Sequence, residues 1–164
     1  MTGVTIARGN RWTPKHHNAC WYIVLSGSAS ASVGDDELIV HGDVNLAVAV
    51  DLGFEGLVAP IVHKVGDLSI RDLARSIYEV AGRARDRKLV RADLVGGTFT
   101  VTNPGQYGTL FQFPIINQPQ VAILSTDAIT KKPVVIETED GDTIGIRPVG
   151  VLAQSFDHRA IDGA

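Results

Sequence analysis

The hydrophobic pattern of the first half predicts strands. Residues 37–41 are a short apolar run, and residues 44–50 alternate larger apolar residues with small ones, so both faces of that strand are expected to be covered. Residues 57–62 predict a third strand. Pro60 within it marks an edge or an irregularity, because proline has no N–H to donate to a ladder.

A helical period follows over residues 69–88. Ser69 and Asp72 resemble a capping box, with aspartate replacing the usual glutamate. Apolar residues recur at helical spacing from Ile70 to Ala84, by way of Leu73, Ile77 and Val80 or Ala81. The basic side chains off this stripe predict either a solvated face or a surface for a phosphorylated ligand; they are Arg71, Arg75, Arg83, Arg85, Arg87 and Lys88.

The two-residue period then returns. Residues 98–102 predict a strand, 103–105 a turn, and 106–119 a long connection of the kind that is often functional. Further strands are predicted at 120–125 and 149–155, with a hairpin formed by 132–136 and 143–146 around residues 139–142.

These elements predict the fold class. Seven or eight strands and one helix indicate an α+β, two-layer fold with a mixed or mostly antiparallel sheet and the helix on one face. Strands and helices do not alternate as in a doubly wound fold. Gly96 and Gly97 lack the spacing and the following helix of a phosphate-binding loop.

Composition changes this picture little. Hydrophobic residues make up 45% of the 164 residues, charged residues 20%, and the net charge is −3, which is typical of a soluble globular domain and argues against a nucleic-acid partner. No apolar run is long enough to span a membrane. The single cysteine, Cys20, cannot form an internal disulfide and indicates a reducing compartment, taken as the cytoplasm. His63 is interpreted as a surface residue.

Residues 1–29 differ from the rest and are interpreted as a leader of unclear status. No acidic residue precedes Asp35, and a basic start leads into a short apolar run at 19–25 and then small residues. This pattern is compatible with a secretory signal, with a transit peptide that would direct the chain to the mitochondrial matrix, or with a leader of no structural importance.

Reactive groups are concentrated in the last ten residues, 155–164. His158 is the natural acid–base candidate, and Asp162 is a carboxylate four residues on. The sequence has no G-x-S-x-G motif to supply the serine of a hydrolase triad. It also shows no second cluster of ligands for a metal bound by His158, Asp157 and Asp162. The residues alone leave two interpretations open: a base that deprotonates a thiol or hydroxyl, and a surface histidine.

Residues 155–164 also resemble the D-H-R-x-x-D-G signature of the 2-oxo acid dehydrogenase acyltransferase components. Residues 96–103 resemble that family's G-G-T-F-T-[IV]-[ST]-N segment, and residues 113–124 its P-I-I-N-x-P-[EQ]-x-A-I-L segment. Residues 44–50 and 68–70 match as well, so the resemblance covers about residues 30–164.

The resemblance implies a chloramphenicol-acetyltransferase-like fold and acyl transfer between dihydrolipoamide and coenzyme A. Coenzyme A would be a substrate, and the lipoyl group would be carried by a separate domain. It implies His158 as general base, Thr102 as the hydroxyl donor to the oxyanion and Asp162 as the acidic residue that organises the site, without a metal. It also implies a homotrimer with active sites at subunit interfaces, a larger core, and decarboxylase and dihydrolipoamide dehydrogenase partners.

Departures from the family affect the ends of the chain. Residues 1–29 do not resemble the family's opening, and the family continues past the signature, so residues 30–164 are expected to be a partial catalytic domain, incomplete at both ends. Two alternatives remain: a non-catalytic or truncated remnant of a complex core, and an acyltransferase acting on a free small molecule. The acyl group is not specified by these residues.

Overall fold

The computed structural model describes residues 30–34 and 38–160. The predicted leader at 1–29 therefore lies outside the described residues. Within them the chain forms one α-helix, three short 3₁₀ helices and eleven strands. The strands are β1 (Ser30–Val33), β2 (Leu38–His41), β3 (Leu46–Val48), β4 (Val50–Asp51), β5 (Leu57–Val58), β6 (Ile61–Val62), β7 (Phe99–Thr102), β8 (Ala122–Thr126), β9 (Thr130–Ile136), β10 (Thr143–Val149) and β11 (Leu152–Phe156).

The helix α1 (Ile70–Arg85) begins where the sequence predicts. The Ser69 side chain accepts a hydrogen bond from the backbone N–H of Asp72 at 3.2 Å, which satisfies one of the free donors of the first turn. The Ser69 hydroxyl in turn donates to the Asp72 carboxylate at 2.6 Å, so the two side chains bind each other rather than forming a full capping box. The helix ends at Arg85, three residues before the predicted end.

One stripe of α1 packs against the strands. Val80, Ala81 and Ala84 are buried, and the last two form a cluster with Val50. Leu73 and Ile77 are half-buried. Ile70, which the helical period predicts on the buried stripe, is exposed instead, so the stripe is covered only from the second turn onward.

A five-stranded mixed sheet forms the other layer, in the order β11-β8-β7-β3-β6. The two central pairings, β3 with β7 and β7 with β8, are parallel, while the edge strands β6 and β11 are antiparallel to their neighbours. Central strands bear buried side chains such as Ala47, Thr100 and Ala122. The α+β prediction with a mixed sheet and the helix on one face is confirmed.

Three two-stranded antiparallel ribbons complete the described chain: β1 with β2, β4 with β5, and β9 with β10. The predicted hairpin is longer than expected, since β9 and β10 pair over seven residues each. The strand predicted at 44–50 is divided into β3 and β4, and the strand predicted at 57–62 is divided into β5 and β6. Pro60 lies at the second break and is fully buried, so it marks the predicted irregularity.

Two further findings concern what the fold can do. Among the described residues, no helix has both the length and the apolar character needed to cross a membrane. In the same part of the chain, no three histidine, cysteine or acidic side chains converge as metal ligands would.

Candidate functional site

His158 lies in a tight turn directly after β11. The backbone N–H of Asp157 donates to the carbonyl of Val121 at 2.7 Å, which extends the pairing of β11 with the start of β8 by one residue. The turn closes when the N–H of Ala160 donates to the carbonyl of Asp157 at 2.9 Å. His158 is exposed, and its ring centroid lies 5.7 Å from that of Phe156. The histidine is therefore presented at the surface from a fixed backbone.

An ion pair holds the two neighbours of this histidine. The Arg159 guanidinium donates to both oxygens of Asp157, from Nη2 at 2.6 Å and from Nε at 3.0 and 3.2 Å. The backbone N–H of Arg159 also donates to Asp157 Oδ1 at 3.0 Å, as is common for an aspartate at the start of a turn. The hydrogen bond from Arg159 holds the pKa of Asp157 below its usual range, and the same contact raises the pKa of Arg159. Asp157 is thus a turn-fixing carboxylate rather than a proton donor near neutral pH.

Asp162, the carboxylate predicted to organise the site, lies outside the described residues. Its assignment stays a prediction.

Thr102 is the last residue of β7 and is half-buried. It is the register partner of Ser125 on the parallel strand β8, so the two side chains lie on the same face of the sheet. The chain turns immediately afterwards, because the Asn103 side chain accepts a hydrogen bond from the N–H of Gly105 at 3.0 Å and a 3₁₀ helix follows over Pro104–Tyr107. Thr102 is therefore positioned by a central strand at the edge where that strand ends.

The sheet places Thr102 and His158 at opposite ends. Thr102 is level with Ser125, and Ser125 is level with Ala153 on β11. Phe156 lies three residues beyond Ala153 and two strands away from β7, so strand spacing puts its Cα roughly 14 Å from that of Thr102. His158 is two residues farther along. A single chain consequently does not bring the predicted base and the predicted hydroxyl donor together.

A buried polar cluster that the sequence interpretation missed lies beside Thr102. Ser125 is fully buried and Asp127 is 5% exposed. The Gln112 amide donates to the Ser125 hydroxyl at 2.8 Å, and that hydroxyl donates to Asp127 Oδ1 at 2.9 Å. Ser125 ends an apolar run, and the sequence pattern predicts it only as the end of a strand. Its role as a link between Gln112 and Asp127 depends on folding of the 106–119 connection, which no local pattern shows.

Aromatic side chains occupy the same end of the sheet. The Tyr107 hydroxyl donates to Asp51 Oδ2 at 2.7 Å, which lowers the pKa of Asp51 and raises that of Tyr107. The Phe54 ring lies 5.8 Å from the Tyr107 ring. Farther along the connection, the exposed rings of Phe111 and Phe113 meet edge to face at 4.6 Å. The 106–119 connection thus presents an aromatic surface near Thr102.

Four of the six basic side chains predicted for this face, on α1 and just after it, form ion pairs. Arg83 donates to Asp93 at 2.6 Å, and this contact holds the pKa of Asp93 below its usual range. Arg87 pairs with Glu55. Arg75 and Lys88 lie 3.9 and 3.2 Å from Asp72 and Asp86. The solvated-face interpretation accounts for these contacts, and the phosphorylated-ligand alternative stays a prediction.

Comparison with known proteins identifies the family. Residues 27–164 match the model described as 2-oxoacid dehydrogenases acyltransferase (catalytic domain). The chain is 47% identical over 138 residues to the dihydrolipoyllysine-residue acetyltransferase component of the pyruvate dehydrogenase complex of Corynebacterium glutamicum, covering 84% of this chain and 20% of that protein. It is 42% identical over 134 residues to the succinyltransferase component of the 2-oxoglutarate dehydrogenase complex of Cupriavidus necator, covering 82% of this chain and 31% of that protein.

A solved structure has the same fold. It is the dihydrolipoamide acetyltransferase of Azotobacter vinelandii, with a TM-score of 0.76 and 28% identity over 90% of this chain and 59% of that one. It comes from a study of a serine, a histidine and an asparagine in the catalytic mechanism, and the last two are four residues apart, as are His158 and Asp162 here. The chain spans 20% of the length of the Corynebacterium protein and 31% of that of the Cupriavidus protein. With the matched model covering most of its length and the fold in agreement, the chain belongs to the family of 2-oxoacid dehydrogenase acyltransferase catalytic domains.

Proposed function

We propose that this protein transfers an acyl group between dihydrolipoamide and coenzyme A in a 2-oxo acid dehydrogenase complex. The observation that carries the proposal is the His158 turn, where a bidentate Asp157–Arg159 pair fixes the backbone on both sides of an exposed histidine. Family membership and the names of the relatives supply the reaction class. Both substrates are thiols or thioesters, which is the chemistry that a neutral histidine can serve.

In the proposed mechanism His158 accepts the proton of the attacking thiol. A free thiol has a pKa near 8.5, so a neutral imidazole within reach produces the nucleophilic thiolate near neutral pH. The sulfur then attacks the thioester carbonyl, and the Thr102 hydroxyl donates a hydrogen bond to the resulting oxyanion. When the tetrahedral intermediate collapses, the imidazolium returns its proton to the departing thiolate. Asp162 is assigned the role of organising the site.

The separation of Thr102 from His158 favours a site formed between copies of the chain. Since the two residues stand at opposite ends of the sheet, one copy supplies Thr102 and the next supplies His158. A cyclic homotrimer closes such head-to-tail contacts. We propose that trimers assemble into a larger core that binds the decarboxylase and dihydrolipoamide dehydrogenase components. The relatives described above are bacterial, which favours the cytoplasm over the mitochondrial matrix as the location.

Mixing two inactive variants tests this proposal. Thr102→Ala is expected to lower kcat about 10²–10³-fold, the usual effect of losing one oxyanion donor. His158→Ala is expected to lower it about 10²–10⁴-fold, the usual contribution of general acid–base catalysis. If the two chains are refolded together in equal amounts, about one quarter of the interfaces in a cyclic trimer carry both natural residues.

The mixture should therefore regain about one quarter of the wild-type activity. Thr102→Ser, which keeps the hydroxyl, serves as the control and should retain most activity. A mixture that forms hybrid oligomers by native mass spectrometry, yet stays as inactive as its components, refutes a site shared between chains. Full activity of His158→Ala alone refutes the reaction mechanism.

The acyl group is a separate question. The relatives at 47% and 42% identity are named as acetyl- and succinyltransferases, so identity does not separate the two. Comparing kcat/KM for acetyl, succinyl and branched-chain acyl-coenzyme A decides it, since a pocket that fits one acyl group rejects the others by differential binding in the transition state.

A further inference from the structure

Asp127 is a buried carboxylate that the proposed mechanism does not use. Asp127 is 5% exposed, and its Oδ1 accepts a hydrogen bond from the Ser125 hydroxyl. Oδ2 is enclosed and has no hydrogen-bond donor among the described residues. A buried carboxylate oxygen without a donor is costly, because water is lost without a replacement. Such an unsatisfied group in a folded chain indicates a ligand, an internal water or a functional role.

Its position points to the proposed site. Ser125 is the register partner of Thr102, and Asp127 lies two residues beyond Ser125 on the same strand path. Asp127 lies just past the end of β8, and the hydrogen bond from the Ser125 hydroxyl places its carboxylate on the same side of the sheet as the Ser125 and Thr102 side chains. Thr102, Ser125 and Asp127 therefore lie at the same end of the sheet, away from the His158 turn.

The hydrogen-bond chain that reaches Asp127 runs in one direction. The Gln112 amide donates to Ser125, and Ser125 donates its only hydroxyl proton to Oδ1. The bonds of this chain are directed at Ser125 and at Oδ1, and no described residue donates to Oδ2. Gln112 turns inward between Phe111 and Phe113, whose rings are exposed. The cluster is therefore one donor short and lies beneath an aromatic surface.

The segment that covers Asp127, residues 104–112, contains neither a strand nor an α-helix. Gly105 approaches so closely that a Cβ there would lie 2.8 Å from the Asp127 carbonyl atoms. The carbonyl of Thr109 accepts the N–H of Ala128 at 2.8 Å. Irregular segments of this kind open at lower free energy than strands do, so local displacement of residues 104–112 would expose Oδ2 to a donor.

We propose that Asp127 is a specificity-determining residue for a thiol substrate, whose arm donates an amide N–H to Oδ2 when its sulfur is beside Thr102. This inference rests on the proposed function. Both thiols of that reaction carry amides: dihydrolipoamide has a terminal one, and the pantetheine arm of coenzyme A has two. A neutral N–H donor fits Oδ2, because the other carboxylate oxygen already accepts the Ser125 hydroxyl.

Asp127→Asn in the full chain is the test. The amide keeps the shape and still accepts from Ser125, but it presents N–H₂ where the substrate's own N–H must bind. KM for the thiol that contacts Asp127 should rise about 10-fold or more, as expected for losing a hydrogen bond to a charged group, with kcat unchanged. The melting temperature should stay the same or rise, because a buried carboxylate oxygen without a hydrogen-bond donor is removed. The exposed Asp140→Asn is the matched control and should alter none of these quantities.

The two thiols are distinguished by separate KM measurements. A rise confined to dihydrolipoamide assigns the contact to its amide, and the N,N-dimethylamide, which has no N–H, should then show equal KM values with wild type and variant. A rise confined to coenzyme A assigns it to pantetheine. Unchanged KM values for both thiols overturn the inference, and so does a fall in melting temperature with reduced kcat and unchanged KM.

Equilibrium titration separates this inference from the reaction itself. If the wild-type chain binds the thiols without turnover, the proposed function fails. Weaker binding of one thiol to Asp127→Asn than to wild type still supports the Asp127 contact in that case. Equal binding of both thiols to the two proteins overturns it.

Discussion

The hydrogen bond between Thr100 and Gln120 lies at the centre of the sheet and should contribute measurably to stability. The Thr100 hydroxyl donates to Gln120 Oε1 at 2.6 Å, and the two residues are only 2% and 5% exposed. Thr100→Val preserves the shape of the side chain but removes the donor. A buried acceptor left unpaired costs about 1–3 kcal/mol, and in a chain of this length each 1 kcal/mol lowers the melting temperature by about 2–4 °C.

Urea unfolding at a fixed protein concentration measures this cost, since an oligomer's apparent stability depends on concentration. The same substitution at the exposed Thr143 is the matched control and should change stability by less than about 0.5 kcal/mol. The double variant Thr100→Val with Gln120→Leu removes both polar partners. It should be more stable than the sum of the single effects predicts, by about 0.5–3 kcal/mol.

Two results would refute this reasoning. One is a Thr100→Val chain as stable as the Thr143→Val control, which would mean that Gln120 finds another donor at no cost. The other is strict additivity in the double variant, which would show that the two side chains do not depend on each other.

Three further changes test other contacts. Arg159→Met should lower kcat, because the turn that presents His158 loses its ion pair. The ionised Asp157 stabilises the fold above its unfolded pKa, and this stability is lost as pH falls through its lowered folded pKa. Arg159→Met should reduce this contribution and flatten the acid side of a plot of melting temperature against pH. The His41 ring is hydrogen-bonded to the Ser32 hydroxyl at 2.9 Å, and burial lowers the pKa of His41. The unfolded chain therefore binds a proton at His41 more readily than the folded chain, and stability should fall as pH drops below about 6.5. His41→Gln should remove this dependence of stability on pH, and an unchanged dependence would contradict the assignment. Gly105→Ala should destabilise the fold by about 1–3 kcal/mol in urea unfolding, because its Cβ would meet Asp127 backbone rather than a movable side chain, whereas Gly82→Ala on the open face of α1 should not destabilise.

Local signals in the sequence were sufficient to predict the start of the helix α1 and the irregularity at Pro60. Ser69 caps α1 because its hydroxyl reaches a free backbone N–H only three residues away, a contact that needs no other part of the chain. The exposure of Ile70 was missed for the opposite reason. Helical spacing shows which residues share a face, but the length of sheet available to cover that face depends on distant strands.

By itself the sequence determined the chemistry offered by this chain: a histidine between an aspartate and an arginine, a threonine at the end of a glycine-introduced strand, and an α+β pattern of apolar residues. These are properties of neighbouring residues and of the periods of single elements. Only the tertiary structure decided that Thr102 and His158 stand at opposite ends of one sheet, because strand order and register are set by pairing between distant segments. The same pairing buries Ser125 and Asp127 beneath the 106–119 connection and leaves one Asp127 oxygen without a donor from the described part of the chain.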